Sequence, residues 1–131
     1  MINKLDKILA EISAGELFDK ITILEIKKEK ISKKEKLVDV QKELSSLKDT
    51  VEKFIPNQSN IFKHINDLKG INLKLWDIED GKRAAEKEKK FDDKFIELAR
   101  NVYKLNDERA KIKLAINIAL GSNIKEVKSY E

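Results

Sequence analysis

The chain has 131 residues, 40% hydrophobic and 40% charged, with one proline, four glycines and no cysteine. Those proportions suit a single soluble helical domain over residues 1–131 and exclude a turn-rich β fold, a disulfide framework, a thiolate metal site and a cysteine nucleophile. The net charge of +4 comes almost wholly from lysine, 25 of the 28 basic residues, interspersed with acids; it describes a solvated surface, and nucleic acid is not an expected partner.

The abundance of Lys, Ile and Asn has the look of an AT-rich source. The three arginines, Arg83, Arg100 and Arg109, therefore stand out as positions where a bidentate fork is used in place of the default lysine. No apolar run approaches the roughly 20 residues that span a bilayer. Met1–Leu9 lacks the continuous apolar core of a signal peptide, so a cytoplasmic location is expected.

Met1–Ile12 reads either as a short helix or as an extended lead-in. Ser13-Ala14-Gly15-Glu16 is a capping box, in which the Ser13 hydroxyl accepts an amide three residues on and Glu16 reaches back. The helix it opens runs to about Ile31, with Leu17, Phe18, Ile21, Leu24 and Ile31 on one face, Lys28 near its middle and Glu25 on its flank. Ile23 and Ile26 point away from that face. A helix apolar on more than one side is either central in the domain or shared with a partner, and a homodimer is one expectation.

A charged turn at Ile31–Lys36 leads to Leu37, Val40, Leu44, Leu47, Val51 and Phe54, an a/d seam about three heptads long. It predicts a second helix, antiparallel on the first, with an intramolecular hairpin favoured over an intermolecular coiled coil. Pro56 ends it. Ser59 can cap a third helix carrying Ile61, Phe62, Ile65, Leu68, Leu75 and Trp76, in which Gly70 points to close packing or a kink. Beyond Trp76 the stripe turns polar: Asn72, Glu79 and Arg83 continue it with Asp80 beside them, and Glu79 and Arg83 are spaced to pair. Gly81 and Lys87–Lys90 predict fraying before Phe91, and Asp92 or Asp93 restarts the helix.

The last long run, Phe91–Leu120, is the stretch around which the chain reads as organised. Phe95, Leu98, Ala99, Val102, Leu105, Ile112, Ile116 and Leu120 recur at helical spacing, and Asn106, Arg109 and Lys113 fall within about 40° of Phe95 on the same face. Gly121 stops it. The tail from Ser122, with Ile124, Val127 and Tyr130, is expected to be extended and docked.

Three helices thus carry polar groups on apolar faces: Glu25 and Lys28; Asn72, Glu79, Asp80 and Arg83; Asn106, Arg109 and Lys113. With Trp76 as a stacking wall, these ten residues are the candidate ligand-binding set. The competing reading is a buried salt-bridge network that sets helix register, with Glu79 and Glu25 as the acidic partners of Arg109 and Arg83. A charged pocket would suit an anionic small molecule. His64 and Asp67 make at most half a metal site and His64 reads as an exposed histidine; no metal, cofactor or catalytic residue is expected.

Ser13-Ala14-Gly15-Glu16-Leu17 followed by Asp19–Lys27 resembles the opening signature of an uncharacterised bacterial helical domain family. The similarity resumes in Leu75–Asp80, Phe95–Arg100, Asn106–Ala110 and Lys128-Ser129-Tyr130, so that it covers most of the chain outside Ser32–Leu68. Proline is frequent in that family where this chain has Ala14. The Leu-Trp…Glu-Asp…Arg…Asn…Arg pattern is similar to a second uncharacterised helical family, and members of both tend to lie beside glycosyltransferase and cell-surface polysaccharide genes.

The reading is an all-α bundle of about four helices with long antiparallel pairs, a short N-terminal lead-in and an extended C-terminal tail. The leading function is a non-enzymatic binding or accessory protein, linked to surface-polysaccharide pathways by the resemblance alone. The alternative is a small all-helical enzyme acting on an anionic metabolite by electrostatics, in the manner of chorismate mutase.

Overall fold

A computed structural model describes residues 4–129. Four helices make up the fold: α1 (Ala14–Lys30), α2 (Lys34–Phe54), α3 (Phe62–Glu88) and α4 (Asp93–Leu120). The expected all-α bundle is what forms, and none of these helices is long and apolar enough to cross a membrane. Residues 4–12 have no regular secondary structure, which resolves the lead-in for its described part; Met1–Asn3 lie outside the described residues, as does Tyr130.

The caps account for most boundaries. Ser13 is in an extended conformation and its Oγ accepts the Glu16 N–H at 3.0 Å. Glu16 does not complete the capping box: its carboxylate meets the Lys113 ammonium at 2.6 Å, a charged donor that wins over a neutral backbone amide. Asp92 caps α4 by accepting the Phe95 N–H, and Gly121, at φ 63°, ends it in the left-handed conformation. Ser59 caps nothing. It bonds Asn57 in the preceding turn, and Ile61 stands at the start of α3 without a side-chain cap. α3 runs unbroken through Gly81 but does end before Phe91, within the Lys87–Lys90 run: its last residue is Glu88 and it stops at Lys89, the one left-handed non-glycine residue among those described.

α1, not α4, is the central element. It packs against each of the other three helices, whereas α2 packs closely on α1 alone. This is why α1 is apolar on two sides. Leu17, Phe18, Ile21 and Leu24 enter the main core, and Ile26, at 1% exposure, is buried on the other face. The motive that Ile26 offered for self-association therefore disappears inside the monomer.

The core joins that α1 face to Leu44 and Val51 of α2, to Ile61 and Leu68, and to Ile116 of α4, with Val40, Leu47, Ile55 and Ile65 packed around it. Leu44 is 1% exposed, so Leu44→Ala should cost about 2–5 kcal/mol in thermal unfolding. Phe54→Ala should cost far less, because Phe54, the last seam position, is 69% exposed. Equal losses for the two variants would show that the seam is not what holds α2.

α3 and α4 form the longest pair, antiparallel, with Gly81 against Leu98. Their far halves have only each other, and no residue between 73 and 115 is fully buried. Glycine roles differ from expectation here: a Cβ at Gly70 would meet nothing within 4 Å, while one at Gly81 would come 3.2 Å from Leu98 Cδ1.

Candidate functional site

Asp19 is the centre of the polar chemistry. It lies on the face of α1 that carries Ile26, seven residues on, and its side chain is 1% exposed. A carboxylate so placed is tolerated only if its oxygens are filled. Arg109 of α4 fills them with a two-pronged grip, Nε to Oδ1 at 2.8 Å and Nη2 to Oδ2. Asn72 of α3 donates its amide to Asp19 Oδ1 at 3.0 Å and to Thr22 Oγ1 at 2.9 Å, and the Thr22 hydroxyl donates to the Asp19 carbonyl at 2.8 Å. α1, α3 and α4 are thereby tied at one level through Asp19, Asn72 and Arg109.

The electrostatics follow. Burial pushes the Asp19 pKa upward, but the hydrogen bonds from Arg109 and Asn72 and the charges of Arg109 and Lys113 outweigh it, leaving it below its ordinary value. The hydrogen bond to Asp19 correspondingly raises Arg109 against its own burial. Both groups are held more firmly in their charged forms.

The stripe Asn106–Arg109–Lys113 continues one more turn to Asn117, and the whole of it faces α1. Asn106 Oδ1 accepts from Arg109 Nη1 at 3.3 Å, and Lys113 Nζ stands 4.0 Å from Asp19 Oδ2. Asn117, 1% exposed, accepts the Gly15 N–H at 2.6 Å and donates to Glu126 of the tail at 3.1 Å. The Ser13 hydroxyl also donates to Glu126, and Ser122 accepts the Ala14 N–H at 3.0 Å. Burial opposes ionisation of Glu126, yet its bonds to Ser13 and Asn117, with the Lys113 charge, hold its pKa below the usual value. The tail is docked as expected, but by polar contacts at the start of α1; Val127 is 90% exposed.

A cleft of about 340 Å³ opens beside the Asp19 network. Ile23, Ile26 and Leu75 form its apolar lining, Trp76 stands in its wall, and Asn72, Glu79, Asp80, Arg83 and Arg109 complete it. Six of the ten candidate residues thus share one cavity, and Asn106 and Lys113 belong to the network behind it. Arg83 and Arg109 do line the same cleft, as their placement suggests, but their acidic partners are not the expected ones. Arg109 is gripped by Asp19, Glu79 lies 3.4 Å from Lys82, and Arg83 makes no hydrogen bond or ion pair among the described residues. Two candidates fall elsewhere. Glu25 faces Lys69 at 4.0 Å, toward the cavity that Phe18, Lys48 and Val51 line, and Lys28 is exposed in the last turn of α1. Glu25 sits about 100° and Lys28 about 160° from Ile26 around the helix, which turns them out of the face that meets α3 and α4. His64 is half-buried, not exposed, and no cluster of three potential metal ligands occurs among the described residues.

Sequence reasoning missed Asp19, Thr22, Asn117 and Glu126. A signal existed for two of them: Asp19 stands one heptad before Ile26, on the face already recognised as anomalous, and Asn117 is four residues beyond Lys113. Glu126 had none, because its partners are about a hundred residues away or across a helix end.

The chain belongs to DUF6165, a family of unknown function, whose model matches residues 8–131. No curated protein and no solved structure matches it.

Proposed function

We propose, for this member of a family without an assigned function, a non-enzymatic binding or accessory role in which a partner group enters the cleft between α1, α3 and α4. One observation carries the reading: the cleft has a hydrogen-bonded back wall and a mouth whose side chains take no partner among the described residues. Arg109 and Asn72 are locked by Asp19, while Trp76, Asp80 and Arg83 make no hydrogen bond or ion pair among the described residues. Apolar floor, aromatic wall and a few convergent polar groups are the usual composition of a small-molecule or side-chain pocket. A general acid or base working near neutral pH needs a pKa moved toward 7. Asp19 and Arg109 are moved away from it. The link to cell-surface polysaccharide or glycosyltransferase pathways rests on the resemblance of the signature blocks alone.

A second reading, an all-helical enzyme acting on an anionic metabolite, draws on the free guanidinium of Arg83. It is the weaker one, since the Arg109 fork is already engaged by Asp19.

Trp76 is the only tryptophan of the chain, so its emission reports the cleft without a label. Titration with phosphosugars, nucleotide sugars and carboxylated metabolites should move that emission and raise the unfolding temperature for the ligand class that fits; a ligand at 100 times its Kd adds about 2.7 kcal/mol. Asp80→Ala and Arg83→Ala, both exposed positions, should remove the response without altering the fold. A ligand response that survives both changes would place the site elsewhere, and turnover of any of these compounds would favour the enzyme.

A further inference from the structure

Residues 4–12 carry four large apolar side chains that the monomer leaves in water. Leu5 is 81% exposed, Ile8 82%, Leu9 88% and Ile12 40%. Their spacing, i, i+3, i+4 and i+7, lines them along one face of a helix, yet the segment has no regular secondary structure and residues 4–10 form no hydrogen bond among the described residues. A helix this short does not hold in water without something to pack on. The root of the arm, by contrast, is fixed: Ser13 is buried, and the Asn123 amide donates to Glu11 at 2.6 Å. Between the arm and the helices lies a groove of about 870 Å³, walled by Ile8, Leu9 and Ile12 on one side and by Leu47, Phe54, Ile55 and Leu120 on the other.

We propose that this end of the protein is a self-association surface, in which the arm of one copy lies as an amphipathic helix in the groove of a second copy and receives the second arm in return. The inference is independent of the cleft. Two observations name the occupant. The first is area. Leu5, Ile8, Leu9, Ile12 and Phe54 together expose roughly 400 Å² of apolar surface per copy. At the usual share of about 60% apolar, that corresponds to an interface of about 650 Å² per copy, within the range of specific dimers. Arm and groove lie at the same end of one chain, so a two-fold axis satisfies both at once and the assembly closes. The second is charge. The polar residues of the arm are Lys4, Asp6, Lys7 and Glu11, two of each sign. A neutral, alternating face suits a copy of itself, whereas helices that lie on membranes are rich in Lys and Arg.

Sedimentation velocity of the full chain decides the matter. The wild type should be a dimer at about 100 µM, since interfaces of this class bind at micromolar Kd or tighter. Its helical circular dichroism should rise with concentration as the arms fold. Leu5→Asp with Leu9→Asp should be monomeric at the same concentration with an unchanged unfolding temperature when dilute, and Phe54→Ser should weaken the dimer from the groove side. A wild type that stays monomeric would overturn the proposal. So would a dimer that survives both variants, or a monomer that instead binds phosphatidylcholine–phosphatidylglycerol vesicles through the arm.

Discussion

Replacing Arg109 with methionine should lower the stability of the protein by about 3–5 kcal/mol, because it strands a carboxylate that has almost no access to water. In a domain of this size that is on the order of 10 °C in the unfolding midpoint. The magnitude comes from the asymmetry of the pair. Asp19 is 1% exposed and Arg109 28% exposed, so the guanidinium can turn to solvent if its partner is lost, while the carboxylate cannot. Asp19→Asn should therefore cost less than Arg109→Met, and the double variant should recover part of the loss of the arginine change. Strict additivity of the two single effects would mean that the pair is not coupled, contrary to its two-pronged geometry. The same network sets the acid limb of stability. The folded-state pKa of Asp19 lies below its ordinary value of 3.8, so its contribution is fully present above about pH 4 and is lost as pH falls through the depressed folded value. Urea titrations from pH 6 down to pH 2.5 should show wild-type stability falling in that interval, with a shallower decline for Asp19→Asn.

The second large effect is expected at Gly15, and its origin is steric. A Cβ built there would collide with the Lys113 carbonyl oxygen and stand 3.0 Å from Asn117 Oδ1. Neither neighbour yields easily: the first is helix backbone, and the second accepts the Gly15 N–H. Gly15→Ala should force α1 and α4 apart and weaken that bond, costing roughly 1–3 kcal/mol net of the gain in helix propensity. Gly70→Ala is the control. It lies inside α3 with nothing within 4 Å of the added carbon, so the same substitution should stabilise by about 0.5–1 kcal/mol. Chemical denaturation of the two variants checks both signs at once. A stabilising Gly15→Ala would show that α1 and α4 leave room for a side chain at position 15.

These two sites mark the border of what sequence reasoning reached. The periodicity of Leu17–Leu24, Leu37–Phe54, Ile61–Trp76 and Phe95–Leu120 was enough for four helices, because amphipathic spacing is a local property of the chain. The N-cap at Ser13, the restart at Asp92 and the stop at Gly121 were legible for the same reason: a capping side chain acts within three or four residues of itself. The polar stripe Asn106–Arg109–Lys113 was visible as an interruption of an apolar face, and so was the convergence of Asn72, Trp76, Asp80 and Arg83 near it.

What pairs with what was not visible. Glu79 and Glu25 had the spacing and charge to serve Arg109, and Asp19 was passed over inside an opening motif. Choosing among carboxylates requires knowing which of them burial deprives of water. Only Asp19 is held at the level where α3 and α4 both cross α1, so only Asp19 must take the arginine. Local sequence pointed to close packing at Gly70 and not at Gly15, yet it is Gly15 that is a point of contact between two helices and Gly70 that faces open space. The reach of Glu126 to Ser13 spans 113 residues. Local sequence thus determined the elements, their ends and the faces on offer. The tertiary structure alone decided that α1 is central, that Asp19 receives Arg109 and that the α1–α4 contact admits no side chain at position 15, because each is a consequence of desolvation or close approach between segments distant along the chain.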